Sequence, residues 1–514
     1  MIAHLRIAGH AAPVPGALSR RLLLQRAIAA ALAGLSGARP AVARAAQGAP
    51  GGGGLGPDPA APSLSRQFAR WVTTLRFEDL PPAVIDRARG LTLHGLASAL
   101  LGSQAPGGRE AIGFMIQEEA GVPSGATILV NGTRVTRSGA AFANSELMLA
   151  GGKWDTFRML THPGTSILPA AFAAAETANA SGRDFITGIV AGYEVMERMA
   201  ADFIPTVMAR GFHAGPVFGI FGAAVAAAKI LRLSEDQVTA AIGLSVNLAG
   251  GNLESGGLRE GAAVRNAMLA VALAGRGSRS RDTALEGPAG FYHAYVGNNQ
   301  GRLTYSFVGD TQTSLDRITA NLGQEWLFLE TLYRIYSVPG YNIAHIDVTA
   351  ALCEEHDIRY EDVDRVEAVV NWLETQYPSP AFPTQREDTG EPRRGSTRYY
   401  TAYGVVRRGF PLLGSTSDPP EVLDLMPRVT IIPSHQMPLF GPRITIFTKD
   451  GKSYTKQATG REFMWDFNEE VRRIRDVIPG LPIPASQFER IIAACRRLDD
   501  ETRADALVRL TLAQ

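Results

Sequence analysis

Cysteine is nearly missing: Cys353 and Cys495 are the only two among 514 residues, far apart and without CxxC spacing. That excludes a disulfide framework and a thiolate metal cluster. Both read as small buried apolar residues, with a single bridge between them as the alternative. Net charge is almost missing as well, since 51 Lys and Arg face 50 Asp and Glu for a formal +1. No overall field then favours nucleic acid or an anionic membrane, and any preference for anions must be local. Equally lacking are an HExxH pair, a calcium-loop carboxylate series, a GxSxG elbow, a Walker loop and a Rossmann fingerprint after a strand. The expectation is therefore no metal and no cofactor, with the chemistry resting on side chains. Gly51 to Gly56 superficially suggests a phosphate loop, but no strand precedes it and no helix follows directly.

What is present is ordinary for a soluble globular chain, with 45% apolar and 20% charged residues. The length calls for two structural domains plus processing segments. Ser19-Arg20-Arg21-Leu22-Leu23-Leu24-Gln25 precedes an alanine-rich apolar stretch reaching about Leu35, with Ala41-Val42-Ala43 and Ala43-Arg44-Ala45 as cleavage candidates. This resembles a twin-arginine (Tat) signal, which implies export of a folded protein to the periplasm and no stable membrane insertion after removal. The run is shorter than the roughly 18 residues that span a membrane; a retained anchor is the alternative. The expected organisation is a signal over 1–45, a Gly/Pro/Ala linker over 46–62, a helical domain over 63–324, an α+β domain over 325–460 and a return to the helical domain over 461–514.

The helical reading rests on Phe68, Trp71, Val72 and Leu75 at three- and four-residue steps after Ser63 or Ser65 as cap, and on Pro81-Pro82 opening the next helix. Ala-rich runs over 167–180, 218–231 and 262–274 allow close helix approach. Later, Val363 to Trp372, Arg428 to Ile432 and Arg443 to Thr448 are rich in β-branched residues. Asp450-Gly451 before Ser453-Tyr454-Thr455 signals a hairpin. The fold class is mainly α with an inserted α+β lid, and a ligand pocket is expected between the two.

The stretch Gly151 to Gly164 carries the first candidate site. His162 precedes a proline suited to a first helical turn, where unpaired N–H groups collect and attract carboxylates. Asp155 or Thr156 is placed to orient the imidazole, making His162 a candidate general base or acid. The bland reading is a histidine capping its own helix. His213 opens a second small-residue helix, with a satisfied buried histidine as its default. Arg259 and Arg265 flank Gly261 and are candidates for bidentate carboxylate binding, or simply solvated arginines. Arg334, His345 and Tyr399 stand in mixed polar and aromatic segments.

These residues together resemble the MmgE/PrpD family of dehydratases, decarboxylases and epimerases over roughly residues 63 to 480. The resemblance lies in Phe68-Ala69-Arg70-Trp71-Val72 with Asp79-Leu80-Pro81, in Asn144 to Pro169 with Asp155-Thr156 and Thr161-His162-Pro163-Gly164, and in Gly211-Phe212-His213. It continues through Gly219 to Leu233, Leu285 to Phe291 and Ser396 to Ala402. It implies a helical domain with an α+β lid, a homodimer, and a small polycarboxylate substrate. It also implies His162 as central histidine, His213 as a second pocket histidine, Tyr399 as lid tyrosine and His345 near a lid histidine. The chain departs from the family at Gly152 for an aspartate, Gly256 for a lysine, Arg334 for the lid lysine and His94 for an aspartate. Arginine stays charged and suits carboxylate binding better than proton transfer. The expected function is a lyase, a dehydratase or decarboxylase, in which Arg259 and Arg334 hold carboxylates, His162 and His213 exchange protons and Tyr399 donates to a leaving group or enolate. An epimerase or isomerase and a non-catalytic periplasmic binder stay open beside it.

Overall fold

Ser63 caps the first helix as its spacing predicts: its hydroxyl accepts the Arg66 N–H, and Phe68 and Val72 turn inward from Leu64–Thr74. The structure is a computed structural model that describes residues 61–336, 338–411 and 418–512. The twin-arginine stretch, its cleavage candidates and most of the linker lie outside the described residues. Helices follow at Pro82–Gly102, Pro106–Glu119, Arg137–Gly151, Pro163–Ala178, Gly182–Ala200, Ala214–Ile230, Glu235–Leu248 and Arg259–Gly275.

Ala214–Ile230 lies at the centre, with every residue buried except Lys229. It packs against Gly182–Ala200, Pro163–Ala178 and Arg259–Gly275. Side chains this small let backbones meet. A β-carbon on Gly192 would stand 2.6 Å from the Gly222 carbonyl oxygen, so glycine there is what permits the crossing of the Gly182–Ala200 and Ala214–Ile230 helices. The helical run is not unbroken as expected, because short strands Ala126–Thr127, Arg134–Val135 and Trp154–Thr156 interrupt it. The third of these pairs antiparallel with Leu332–Arg334, joining the helical part to the later segment: Trp154 faces Arg334 and Thr156 faces Leu332.

The β-branched segments form one four-stranded sheet in the order Ser453–Gln457, Arg443–Thr448, Val363–Asn371, Val429–Ser434. The last pair is parallel and the others antiparallel. A register shift between Val363 and Arg365 changes the alternation, so that Val363, then Val366, Ala368 and Val370, all point inward. The strand stops at Asn371, one residue before the expected end, because the Asn371 side chain accepts the Leu373 N–H and starts a turn. Gly451 takes φ 84° in the foreseen hairpin. Helices Gly340–Glu355 and Thr397–Arg407 pack on each other and on this sheet. Phe467–Ile474 and Ala485–Arg496 return to Pro82–Gly102. His94 is buried there with Nδ1 2.8 Å from Glu470. Cys353 and Cys495 are both buried and free. Among the described residues no helix is long and apolar enough to cross a membrane.

Gly182–Ala200 opens on a reciprocal cap, the Ser181 hydroxyl accepting the Asp184 N–H while the Asp184 carboxylate accepts the Ser181 N–H. Ser181→Ala is expected to lower unfolding stability by about 1 kcal/mol, read as a lower urea midpoint with unchanged slope.

Candidate active site

Pro163 opens its helix without needing an N–H partner, which leaves His162 at the cap position with φ −129°. Its side chain does not cap the helix, so the bland reading does not hold. Instead Nδ1 lies 2.8 Å from the main-chain oxygen of Asp155. A carbonyl only accepts, so Nδ1 carries the proton and Nε2 presents its lone pair. Thr156 Oγ1 stands 3.3 Å from the same Nδ1, and the Trp154 ring packs on the imidazole at 4.6 Å between centroids. Burial first, then the positive charges of Arg334 and Arg259, push the His162 pKa down to about 3. The imidazole is neutral at any ordinary pH.

Asp155 was expected among the catalytic groups, and the structure corrects its place. Its carboxylate accepts the Gly164 N–H at 2.9 Å and the Tyr193 hydroxyl at 2.6 Å, fully inside the protein and away from the cavity. Burial raises its pKa. It is a positioning residue: the side chain fixes the segment whose carbonyl fixes His162.

Across the short ladder, Arg334 lays its guanidinium over the Trp154 ring at 4.7 Å and donates from Nε to the Val338 carbonyl at 2.8 Å. No carboxylate among the described residues lies within ion-pair distance of it. Burial lowers its pKa to about 10, which leaves it charged. Arg334, His162, Thr156 and Trp154 line a cavity of about 220 Å³ with Tyr341, Tyr377, Gln385, Met159, Leu160 and Phe440. Behind the ladder Lys153 is buried, and burial and Arg334 lower its pKa to about 8. A group of cations with one unanswered charge facing a cavity makes an anion site.

The other expected residues divide. His213 stands at the cap position of Ala214–Ile230 without a side-chain cap bond, its Nδ1 3.9 Å from Glu260 Oε1, and burial first, then the charge of Arg259, lowers its pKa to about 3. It is close enough to His162 to be felt, yet it does not line the cavity. Arg259 bears on both histidines from the start of its helix. Arg265 does not join them, because it pairs with Glu119 on the far side of that helix turn. His345 is buried with Nδ1 2.8 Å from Thr401 Oγ1, and it too is absent from the cavity wall. Tyr399 was expected as the active tyrosine; its hydroxyl instead donates to Asp418 at 2.9 Å. Its neighbour Tyr400 is the one that Arg334 influences. Sequence reasoning missed Trp154, Tyr341, Tyr377 and Gln385. Only Trp154 carried a signal, by adjoining Asp155. Among the described residues no group of three or more His, Cys, Asp or Glu comes together to hold a metal ion.

Residues 66–304 match the model of the MmgE/PrpD N-terminal domain. The chain is 27% identical over 318 residues to the cis-aconitate decarboxylase-like protein oryM of Aspergillus oryzae, a match covering 58% of this chain and 63% of that protein, less than two thirds. It is 25% identical over 423 residues to a cis-aconitate decarboxylase of Aspergillus terreus, covering 76% and 84%. It is 24% identical over 481 residues to the cis-aconitate decarboxylase of Mus musculus, covering 87% and 93%.

Three histidines, the buried His345 and the partly buried His162 and His213, have pKa values lowered from 6.5 to about 3, desolvation being the largest cause in each. Between those values the unfolded chain binds protons at these histidines that the folded one does not, so their contribution to stability falls as pH drops from about 6.5 toward 3. Urea midpoints of the wild type and of His162→Ala measured across that range should diverge, the wild type losing more with acidity by about one proton in the slope.

Proposed function

We propose, because this chain belongs to the MmgE/PrpD family, that it is a cofactor-independent lyase, a decarboxylase or dehydratase acting on a small polycarboxylate through His162. One observation carries the reading: the charged guanidinium of Arg334, with no carboxylate within ion-pair distance among the described residues, shares a cavity with a neutral imidazole whose Nε2 is unprotonated. The relatives named cis-aconitate decarboxylase support the lyase class.

A substrate carboxylate seated on Arg334 would neutralise the more influential of the two cations that depress His162, raising the basicity of Nε2 when the site fills. In an elimination, Nε2 takes the proton from the carbon next to that carboxylate. The C–H pair becomes the new double bond, and the leaving hydroxyl departs with the C–O pair, becoming water by taking the proton back from Nε2. In a decarboxylation, the C–C pair stays on carbon as carbon dioxide leaves, and the carbon takes a proton that Nε2 has accepted from water once the substrate carboxylate has raised its basicity. Either way one nitrogen exchanges the proton, because Nδ1 is held by the Asp155 carbonyl. Arg334 holds the negative charge that develops on the retained carboxylate.

Incubation with di- and tricarboxylates in deuterated water, followed by proton NMR, tests this. His162→Ala is expected to lower kcat by about 10²- to 10⁴-fold. Arg334→Gln should weaken substrate binding by about 1.5–3 kcal/mol, seen chiefly in KM. Deuterium exchange at carbon without elimination or carbon dioxide loss would replace the lyase with an epimerase. Recovery of every acid unchanged and undeuterated, with tight binding, would leave a binding protein.

The same proposal places the enzyme outside the cytoplasm, carried by Ser19 to Gln25. Arg20→Lys together with Arg21→Lys should leave the protein in the cytoplasmic fraction. Unchanged export would assign delivery to another route.

A further inference from the structure

Much of the cavity wall is apolar. Met159, Leu160, Pro339 and Phe440 contribute to it, while Arg334 is the only cationic side chain among the lining residues described. Two of these apolar residues sit where the backbone opposes them, Leu160 at φ 74° and Phe440 at φ 58°. That left-handed region penalises any residue with a β-carbon and most of all bulky ones; glycine or asparagine would hold the same turns with less strain. Strained residues of this kind collect at ligand sites when their side chains are needed there. A leucine and a phenylalanine retained at such positions, both on one small cavity, mark that surface as a place for hydrocarbon.

Resting on the reading of this site as one that takes carboxylic acids, we propose that the preferred substrate is a dicarboxylate bearing an apolar alkyl arm, seated against Met159, Leu160, Pro339 and Phe440. One carboxylate takes Arg334. The second lies toward Gly395, the cavity-lining residue that directly follows the exposed Arg393 and Arg394, the latter 3.0 Å from Asp418. A third carboxylate would have to displace the alkyl arm and lie on hydrocarbon, where it would lose its water and meet no second cation, Arg334 being the only cationic side chain among the lining residues described. An alkyl arm in that place gains about fourfold in affinity for each methylene covered.

A matched series separates the cases: maleate, its isobutyl derivative, and its carboxymethyl derivative, which is cis-aconitate and nearly the same shape as the isobutyl compound. Calorimetric titration of the wild-type protein is expected to show the isobutyl acid binding at least about tenfold more tightly than maleate. It should show cis-aconitate binding no more tightly than maleate. In Leu160→Gly, which accepts the positive φ, the isobutyl advantage should shrink while maleate affinity stays within about threefold, circular dichroism confirming the fold. Tighter binding of cis-aconitate than of the isobutyl acid, or an isobutyl advantage untouched in Leu160→Gly, overturns the inference. Turnover of the same acids keeps the two readings apart. If the expected order of binding holds and no acid is converted, the lyase reading falls and this one stands. If cis-aconitate binds best and is converted, the reverse is true.

Discussion

The hydrogen bond from His162 Nδ1 to the Asp155 carbonyl, 2.8 Å long, is the constraint on which the site depends. It decides which nitrogen is free, and so which kind of chemistry the imidazole can do. The Asp155 carbonyl is itself immobile because its own carboxylate is tied to Gly164 at the start of the Pro163–Ala178 helix and to Tyr193 on the Gly182–Ala200 helix. Its strand is tied to Leu332–Arg334. Two helices and a ladder therefore converge on one residue. A helical core built from alanine and glycine is what makes the convergence possible, since Tyr193 reaches Asp155 only because the helices pack so closely.

The electrostatics follow from that geometry. Folding places His162, His213 and His345 where their charged forms are suppressed, and it places Arg334 where its charge persists with no carboxylate among the described residues within ion-pair distance. Both arrangements cost stability in the empty protein, because an unanswered partly buried charge and a suppressed base each lack what water would supply. Sites that bind and transform ligands commonly hold groups in such states. On the proposed reading, an entering carboxylate would answer the charge and restore the base in a single event, coupling recognition to activation.

Local sequence made some of this legible. Pro163 after His162 and a run of small residues after His213 marked two helix starts, and both histidines stand there. Asp450-Gly451 marked the hairpin, and alternating β-branched residues marked the sheet. Long-range facts were not legible. Trp154–Thr156 and Leu332–Arg334 are too short to show alternation, so nothing along the chain announced that Arg334 would lie over Trp154. Arg265 lies six residues after Arg259 in the same helix, and only the long-range approach of Glu119, at the end of Pro106–Glu119, gives it a partner. Tyr399 and Tyr400 differ by one position in a helix, which is about 100° of rotation. That rotation sends one hydroxyl to Asp418 and brings the other under the influence of Arg334.

Glycine stands at Gly152, just before the strand that carries His162's partner, and it adopts φ 69° as the left-handed end of Arg137–Gly151. That conformation is one glycine takes freely. An aspartate in the same place would pay a small penalty and would add a negative charge to a region whose cations are meant for the ligand. Leu160 and Phe440 show the opposite choice: there a strained conformation carries a large apolar side chain that glycine would have spared. Leu160 and Phe440 thus place hydrocarbon on the cavity wall at a cost in backbone strain, and the proposed preference for a ligand with fewer charges than a tricarboxylate and more carbon rests on that placement.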